Sequence, residues 1–389
     1  MANHVPLRIA FTNIPRRIWA GGYNYQNNLF VALNRYCPGQ ISPVMFAGHD
    51  DDPSDLEAVA RIPDVEVVQS SAFDRRRSSL AAALTLGIDR AAATEFQARR
   101  IDVVFESARF FGWRLPFPAI AWFPDFQHRR LPHFFSLATR WRRELGFRAQ
   151  IASRRTILLS SESALRDFRK FYPGSTSDVS VVRFATGPAA SSLSADPVAV
   201  MAQYNLPLHY FYLPNQFWQH KNHQVVVNAL ALLKRRGLDV VVAASGSRDD
   251  HREANYFSDL MQEVAKQGLE SNFCYLGMIP LDHVYALLRN STAFINPSRI
   301  EGWSTTVEEA KSFGVPMILS DIDVHREQAA GAARYFGVDD AEKLADHLSE
   351  FSRVTEPVTA RDLLPDIDDR VRAFAGEFAR MVRSAMSPV

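Results

Sequence analysis

The segment FINPSRIEGWSTTVEEAKSFGVPMILSD, residues 294–321, combines residue types that suit phosphate and hydroxyl binding. Ser304 to Thr306 are candidate caps for a helix that follows them, and the free amides at such a helix start attract a phosphate. Glu301 precedes that helix and Glu309 lies within it. Carboxylates accept hydrogen bonds in pairs, which suits the vicinal hydroxyls of a ribose or a sugar. The segment therefore predicts a sugar-nucleotide site, and a capping arrangement with surface glutamates is the equal alternative on these residues alone.

The residues around this helix predict a strand–helix–strand unit. A buried strand ends at Asn296, and the helix is expected to run to about Phe313. Gly314 stands where a left-handed residue ends a helix, and Pro316 follows it. A second strand begins at Met317. Because ligands of α/β proteins bind at the carboxyl ends of parallel strands, the unit places the two acids where a ligand is expected.

The same alternation of strands and helices continues along the chain, whose 389 residues exceed the usual size of one hydrophobic core. It predicts two doubly wound α/β domains with mostly parallel sheets. Small polar residues and prolines around Gly187 indicate the connection between the two domains, which are therefore expected at residues 1–187 and 188–367. A terminal amphipathic helix over 368–389 is expected to return to the first domain. Strands are predicted at 7–11, 65–68, 101–105, 119–123, 156–160, 179–182, 210–213, 240–244, 273–276, 293–295 and 317–320.

Composition excludes several classes of protein. A net charge of +1 argues against a dedicated nucleic-acid binder. No apolar run approaches the roughly 20 residues of a membrane-spanning helix, and the first residues lack a secretory signal. Cys37 and Cys274 are far apart without metal-ligand spacing, so neither a disulfide framework nor a zinc site is expected. These observations predict a cytoplasmic protein.

The segment at 294–321 resembles the donor-site signature of the family 4 (group 1) glycosyltransferases, enzymes of the GT-B fold. The matching positions are Pro297, Ser298, Glu301, Gly302, Trp303, Glu309, Ala310, Gly314 and Pro316. The resemblance implies two Rossmann-like domains facing a central cleft. It also implies that Glu301 lies near the donor sugar, that Glu309 holds the ribose and that Thr305 and Thr306 offer amides to the diphosphate. Ser304 to Thr306 depart from the glycine, leucine and proline common in the family.

The stretch LPNQFWQHKNHQVVVNAL, residues 213–230, also resembles this family. There the lysine at the position of Lys221 contacts the donor phosphates, and a fixed ammonium stabilises the charge that a departing diphosphate gains. Many relatives carry an arginine where this chain has Asn215 and Gln216, so Lys221 is the one cation assigned. An exposed lysine at a helix start is the alternative.

Two stretches of the first domain resemble the family as well. In AGGYNYQNNL, Gly21 and Gly22 would let the backbone of a loop approach the donor phosphates. In AWFPDFQHRRLPHFF, Asp125 and His128 fit the pattern, while Pro124 replaces the histidine that contacts the donor sugar in relatives. His128 is expected either in the reaction centre or as a packed, hydrogen-bonded histidine.

The combined assignment has two groups. The catalytic residues are Lys221, Glu301, Asp125 and His128. The donor-binding residues are Gly21, Gly22, Asn215, Gln216, Gly246, Ser298, Gly302, Ser304, Thr305, Thr306 and Glu309. The resemblance implies retaining transfer from a nucleotide diphosphate sugar with no metal or other cofactor, to a saccharide or lipid-linked acceptor in surface-polysaccharide synthesis. A sugar-phosphate enzyme of the same architecture, such as an epimerase or phosphorylase, and a binding protein without activity are the alternatives.

Residues 129–155 carry eight arginines against one acid, Glu144, with aromatic residues between them. Such a stretch fits a peripheral contact with anionic lipid at the inner face of the plasma membrane. A solvated charged face with core aromatics is the simpler alternative.

Overall fold

The computed structural model describes residues 5–75, 80–107, 109–250, 252–353 and 358–386. These residues form two compact α/β units. The first comprises the described residues up to 132, residues 136–185 and those from 368 onward. The second comprises residues 133–135 and 186–367.

The first unit contains a parallel sheet in which the described residues form seven strands. Their order across the sheet is β3-β2-β1-β4-β5-β6-β7. The strands are β1 (Leu7–Thr12), β2 (Ile41–Ala47), β3 (Glu66–Gln69), β4 (Val103–Glu106), β5 (Ala119–Phe123), β6 (Thr156–Leu159) and β7 (Val179–Val181). The helices are α1 (Ala20–Tyr36), α2 (Pro53–Ala60), α3 (Leu80–Leu86), α4 (Arg90–Ala98), α5 (Gln127–Arg130), α6 (Leu137–Ala152) and α7 (Glu162–Phe171).

The second unit contains a parallel sheet with the order β10-β9-β8-β11-β12-β13 in the described part of the chain. The strands are β8 (Phe211–Leu213), β9 (Val242–Ala244), β10 (Phe273–Tyr275), β11 (Ala293–Asn296), β12 (Met317–Ser320) and β13 (Ala333–Phe336). The helices are α8 (Pro197–Gln203), α9 (His223–Arg235), α10 (Tyr256–Lys266), α11 (Leu281–Asn290), α12 (Thr305–Ser312), α13 (Asp323–Ala329) and α14 (Ala341–Ser352).

Both sheets have a point at which the strand order reverses. In the first unit β1 lies between β2 and β4, and in the second β8 lies between β9 and β11. Helices leave opposite faces of the sheet on the two sides of such a point, which opens a crevice at the carboxyl ends of the central strands. The central strands carry continuous apolar runs, since both of their faces are covered.

The last helix, α15 (Ile367–Met386), packs on the first unit. Phe378 lies 6.3 Å from Phe11 and 5.9 Å from Phe105 between ring centroids. At the start of the helix the hydroxyl of Tyr36 donates to Asp368 Oδ1 at 2.9 Å. The apolar face of α15 is therefore buried against β1, β4 and α1.

Two strands, β2 and β13, were not predicted from the sequence. Pro43 lies inside β2, opposite Ile9 of β1, and a proline lowers strand propensity because it lacks a donor. β13 is a short strand at the edge of its sheet, and Arg334 interrupts its apolar run. Within the described ranges, the structure contains no helix that is both long enough and apolar enough to span a membrane.

Candidate functional site

The predicted helix start in the second unit is confirmed. Helix α12 begins at Thr305, and the Ser304 hydroxyl accepts from the amide of Val307 at 3.4 Å. Gly314 adopts a left-handed φ of +61° two residues after the last helical residue. Thr305 and Thr306 form the half-buried first turn, and Gly302 lies in the bend before it. The amides of this turn therefore lie at the carboxyl end of β11, where the strand order reverses.

Lys221 and Glu301 form an ion pair at this helix start. Lys221 Nζ donates to Glu301 Oε1 at 2.5 Å, although the residues are 80 positions apart. Ser298 Oγ lies 2.7 Å from the same carboxylate oxygen. Both charged side chains are largely buried. Three of the predicted residues thus meet directly, and a ligand at this point would share the ammonium with the carboxylate.

Asn222 fixes the segment that presents Lys221. It adopts a left-handed φ of 58° between the short 3-10 helix Gln219–Lys221 and α9. Its side-chain amide donates to the carbonyls of Pro297 at 3.2 Å and Val338 at 2.7 Å. The amide of Arg299 also donates to the carbonyl of His220 at 2.8 Å. These bonds join the loop after β11 to the start of α9, which holds the ammonium at a fixed position.

Three predicted donor-binding residues make contacts within the protein that explain the choice of residue at each position. They are Asn215, Gln216 and Gly246. Asn215 Nδ2 donates to Asn296 Oδ1 at 3.3 Å, and Gln216 Oε1 accepts from the amide of Ser247 at 2.8 Å. Gly246 has a φ of +150°, and a Cβ there would lie 2.3 Å from the Asn215 carbonyl oxygen. The observed role of these three predicted donor-binding residues is therefore to position the loops after β8 and β9.

Glu309 is buried in the second turn of α12 and forms no ion pair with a described residue. Its Oε1 accepts from the hydroxyl of Tyr285 at 3.5 Å. Burial raises the pKa of Glu309 to about 7. The adjacent Glu308 differs, because Lys311 Nζ donates to it at 3.0 Å and Gln328 Nε2 at 3.2 Å. Glu309 is thus a carboxylate with free capacity to accept hydrogen bonds from a ligand.

His325, which the sequence analysis did not single out, lies beside the ion pair. It is fully buried in α13, and its Nδ1 lies 2.9 Å from the carbonyl oxygen of Ser320. Burial lowers the pKa of His325 to about 4, while the charge of Glu301 acts in the opposite direction. Its Nε2 has no hydrogen-bond partner among the described residues. Its place just after β12, the neighbour of β11, is the signal that could have identified it.

Gly21 and Gly22 lie in the first turn of α1 rather than in a loop, which corrects the sequence prediction. The indole of Trp19 covers this turn, and a Cβ on Gly22 would lie 2.4 Å from it. Trp19 in turn stacks on Trp122 at 5.1 Å between ring centroids. The space left by the missing side chain at Gly22 is therefore filled by tryptophan packing.

Asp125 and His128, assigned from the sequence to the reaction, are engaged inside the first unit. Arg143 donates to Asp125 Oδ1 at 2.7 Å. His128 is fully buried, and its Nε2 lies 3.2 Å from Glu144 Oε2. Burial lowers the pKa of His128 to about 4, so the ring is neutral at pH 7. The geometry favours the packed, hydrogen-bonded histidine, and both residues hold α5 against α6.

Part of the second unit matches a known protein family. Residues 208–357 match the model of the family described as glycosyl transferases group 1. This match confirms the resemblance to group 1 that the motifs around Lys221 and Glu301 indicated.

Two curated proteins resemble parts of the chain. One is a putative glycosyltransferase, EpsF, of Bacillus subtilis, 28% identical over 106 residues, which is 27% of this chain and 26% of that protein. The other is the O-antigen chain mannosyltransferase RfbU of Salmonella typhimurium, 26% identical over 155 residues, or 37% and 41% of the two chains. The matched regions thus span less than half of either relative.

A solved structure shows the fold of the whole chain. The Anabaena protein Alr3699/HepE, in complex with UDP and glucose, superposes with a TM-score of 0.68 at 14% identity. The superposition covers 97% of this chain and 100% of that one. The chain therefore has the GT-B fold.

Proposed function

We propose that the chain is a retaining glycosyltransferase of family 4 that uses a nucleotide diphosphate sugar as donor. The proposal depends chiefly on one observation, the convergence of Lys221 and Glu301 at the start of α12. A cation, free helix amides and a hydroxyl-binding acid meet there in a unit that matches the group 1 glycosyltransferases.

Each group at this point has a chemical task in the transfer. The departing nucleoside diphosphate gains negative charge, which the Lys221 ammonium and the first amides of α12 stabilise. Glu301 accepts hydrogen bonds from the donor sugar, and Glu309 accepts two from the ribose. In a retaining transfer the leaving phosphate itself takes the proton of the acceptor hydroxyl. The ammonium and amides perform the neutralisation for which other transferases use a metal.

The acceptor is proposed to be a saccharide or lipid-linked saccharide of a cell-surface polysaccharide. The similarity to an O-antigen chain mannosyltransferase supports this class of acceptor. The complex of the HepE structure with UDP and glucose supports a nucleoside diphosphate donor.

Thermal unfolding with a panel of nucleotides tests the proposal. UDP, GDP, ADP and their hexose conjugates are added separately, because a ligand that binds only the folded state raises the unfolding temperature. We expect one base to give the largest rise, and the matching sugar conjugate to be hydrolysed slowly without acceptor. No rise with any nucleotide would contradict the proposed donor site, and a rise without hydrolysis or transfer would favour a binding protein.

We also propose that α6 makes a peripheral contact with anionic lipid at the inner face of the plasma membrane. Leu137, Trp141 and Leu145 are 72%, 70% and 48% exposed and recur at every fourth position, so they share one face of α6. Exposed Arg142 lies on the same side of the helix. A stripe of this kind inserts at the lipid headgroup level beside basic side chains.

Most of the positive charge of residues 129–155 has partners within the first unit. This reduces the basic character of the stretch, so the lipid contact depends chiefly on the apolar stripe. The ion pairs are Arg129 and Arg148 with Glu144, Arg130 with Asp167, Arg143 with Asp125, and Arg155 with Glu106.

Sedimentation with vesicles tests the lipid contact. The variant Trp141→Ser is expected to lose most of its binding to phosphatidylglycerol-containing vesicles, since a tryptophan supplies much of the interfacial affinity. Trp113→Ser is the matched control, because Trp113 is a tryptophan 50% exposed that lies outside α6. Equal sedimentation of wild type and Trp141→Ser would contradict a contact through α6.

A further inference from the structure

The start of α12 is held by a side chain of the next helix along the chain, α13. Gln328 lies near the end of α13 and is only 2% exposed. Its Oε1 accepts from the amide of Ser304 at 3.0 Å, and its Nε2 donates to the carbonyl of the same residue at 3.0 Å. One side-chain amide therefore pairs with both backbone groups of the residue that caps α12.

The first turn of α12 has no residue of its own for this task. In many helices a glutamate or glutamine three residues after the cap accepts from the amide of the capping residue. In α12 that position is Val307, which is fully buried in an apolar cluster of the second unit. Gln328 thus supplies, from a separate helix, the acceptor that Val307 cannot provide.

The surroundings of Gln328 select glutamine over related side chains. Its Nε2 faces two acceptors, the carbonyl of Ser304 and Glu308 Oε1 at 3.2 Å. Lys311 Nζ donates to the same Glu308 oxygen at 3.0 Å, which fixes the carboxylate in place. An ionised glutamate in place of Gln328 would offer these acceptors no proton, and an asparagine would be too short. The position therefore requires one acceptor and one donor in the spacing of a glutamine amide.

The side chain of Ser304 is held by a different element. Asn296, the last residue of β11, donates through Nδ2 to Ser304 Oγ at 2.9 Å. The backbone of Ser304 is bonded to α13 and its side chain to β11, which leaves the first turn of α12 little freedom to rotate. The direction of the amides of Thr305 and Thr306 is therefore set through Ser304.

Glu309, on the same helix, has an anchor of its own. It lies in the second turn of α12, where its Oε1 accepts from the hydroxyl of Tyr285 in α11 at 3.5 Å. The bonds of Gln328 to the capping residue act one turn earlier. Loss of these bonds should thus disturb the amides that face a phosphate more than the carboxylate that faces a ribose.

We propose that Gln328 is a positioning residue for donor binding, which acts through Ser304 and not on the ligand. It orients the first turn of α12 so that the amides of this turn point at the diphosphate. Hydrogen bonds weaken steeply when donor and acceptor are misaligned, and those to a charged oxygen are the stronger ones. This inference rests on the proposed function, because it needs a diphosphate at the start of α12.

The variant Gln328→Met tests the inference in the full-length protein, because methionine is close to glutamine in volume and removes both bonds to Ser304. The probes are UDP, GDP and ADP, each compared with its nucleoside by ligand-observed NMR titration. We expect the dissociation constant of the preferred nucleoside diphosphate to rise about tenfold and that of its nucleoside to change less than about twofold. Gln328→Leu serves for the same comparison if Gln328→Met does not fold.

The matched control is Gln150→Met in the first unit. Gln150 of α6 is 6% exposed, and its Nε2 donates to Glu106 Oε2 at 3.1 Å. Removal of this buried amide should lower the unfolding temperature, because Glu106 loses a hydrogen bond. It should leave the affinities for diphosphate and nucleoside unchanged, since both residues belong to the first unit.

Three outcomes would overturn the inference. The first is an unchanged affinity for the nucleoside diphosphate in folded Gln328→Met. The second is an equal weakening of diphosphate and nucleoside binding, and the third is a loss of folding in both variants, since each would show that Gln328 serves stability alone. A failure of the proposed function is distinguishable, because wild type would then bind none of the three nucleoside diphosphates.

Discussion

The variant Lys221→Ala is expected to transfer sugar about 100- to 1,000-fold more slowly than wild type, a loss of about 3–4 kcal/mol of transition-state stabilisation. Lys221 is the one cation assigned to the site, and its ammonium lies beside Glu301 at the start of α12. Its removal therefore leaves no assigned cation to neutralise the departing diphosphate. The rate constant kcat should fall more than the donor affinity, because the charge on the leaving group develops only as the bond breaks. Steady-state kinetics with the preferred donor measures both.

Stability has to be separated from catalysis in this test. Removal of Lys221 leaves the largely buried carboxylate of Glu301 without its cation, which destabilises the fold. The double variant Lys221→Ala with Glu301→Gln removes both charges and should regain stability without regaining activity. Lys266→Ala is the control, because Lys266 is exposed and lies 3.8 Å from Glu263 on α10. Unchanged turnover in folded Lys221→Ala would show that the site is misplaced.

The variant Glu309→Gln is expected to bind the nucleotide about tenfold more weakly and yet to be more stable at pH 8. In the proposed donor complex the carboxylate accepts hydrogen bonds from two ribose hydroxyls, and such charge-assisted bonds are stronger than those of a neutral amide. The same carboxylate is buried with no described cation partner, and its pKa is raised to about 7. Ionisation of Glu309 above that pH opposes folding, and glutamine removes this cost.

The direction of the pH effect follows from the raised pKa. Glu309 in the folded protein holds its proton up to about pH 7, whereas in the unfolded chain it loses it near 4.5. Its stabilising contribution is therefore complete below pH 4.5 and lost as the pH rises through 7. The shift corresponds to about 3 kcal/mol at pH 8. Thermal or urea unfolding of wild type and Glu309→Gln should thus diverge from pH 5 to pH 8.

Nucleotide affinity should show the opposite dependence on pH. Wild type should bind more tightly as Glu309 ionises between pH 6 and pH 8, and Glu309→Gln should lose that rise. Glu308→Gln provides the neighbouring control, because Glu308 is paired with Lys311 at 3.0 Å. That variant should be less stable than wild type at pH 8. Equal stability and affinity of wild type and Glu309→Gln across this range would contradict the assignment of Glu309.

The start and end of α12 in the second unit could be predicted because the residues that set them act over a few positions of the chain. Ser304 caps α12 and Gly314 follows it with a left-handed backbone, and both preferences act within one turn of the chain. Apolar runs likewise identified most of the strands in both sheets. Two strands were not predicted, β2 with Pro43 and the short edge strand β13 with Arg334. Their conformation depends on pairing with neighbouring strands.

The roles of Asp125, His128 and Gly22 could not be interpreted from the sequence alone, because side-chain packing decides them. Asp125 and His128 matched a reaction-centre pattern, but Arg143 and Glu144 of α6 occupy them. Gly22 matched a ligand-binding loop, but the indole of Trp19 fills its space. Arg143 and Glu144 lie on a separate helix. Trp19 directly precedes α1, but the packing of its indole over the first turn cannot be read from the sequence.

By itself, the sequence determined the two α/β units, the helix start at Thr305 and the acids on either side of it, because periodicity and capping act over a few residues. Only the tertiary structure decided that Lys221 pairs with Glu301, that His325 lies beside them and that Glu309 has no described cation partner. Those facts depend on packing between segments far apart in the chain, and burial there sets both the hydrogen bonds and the charge states.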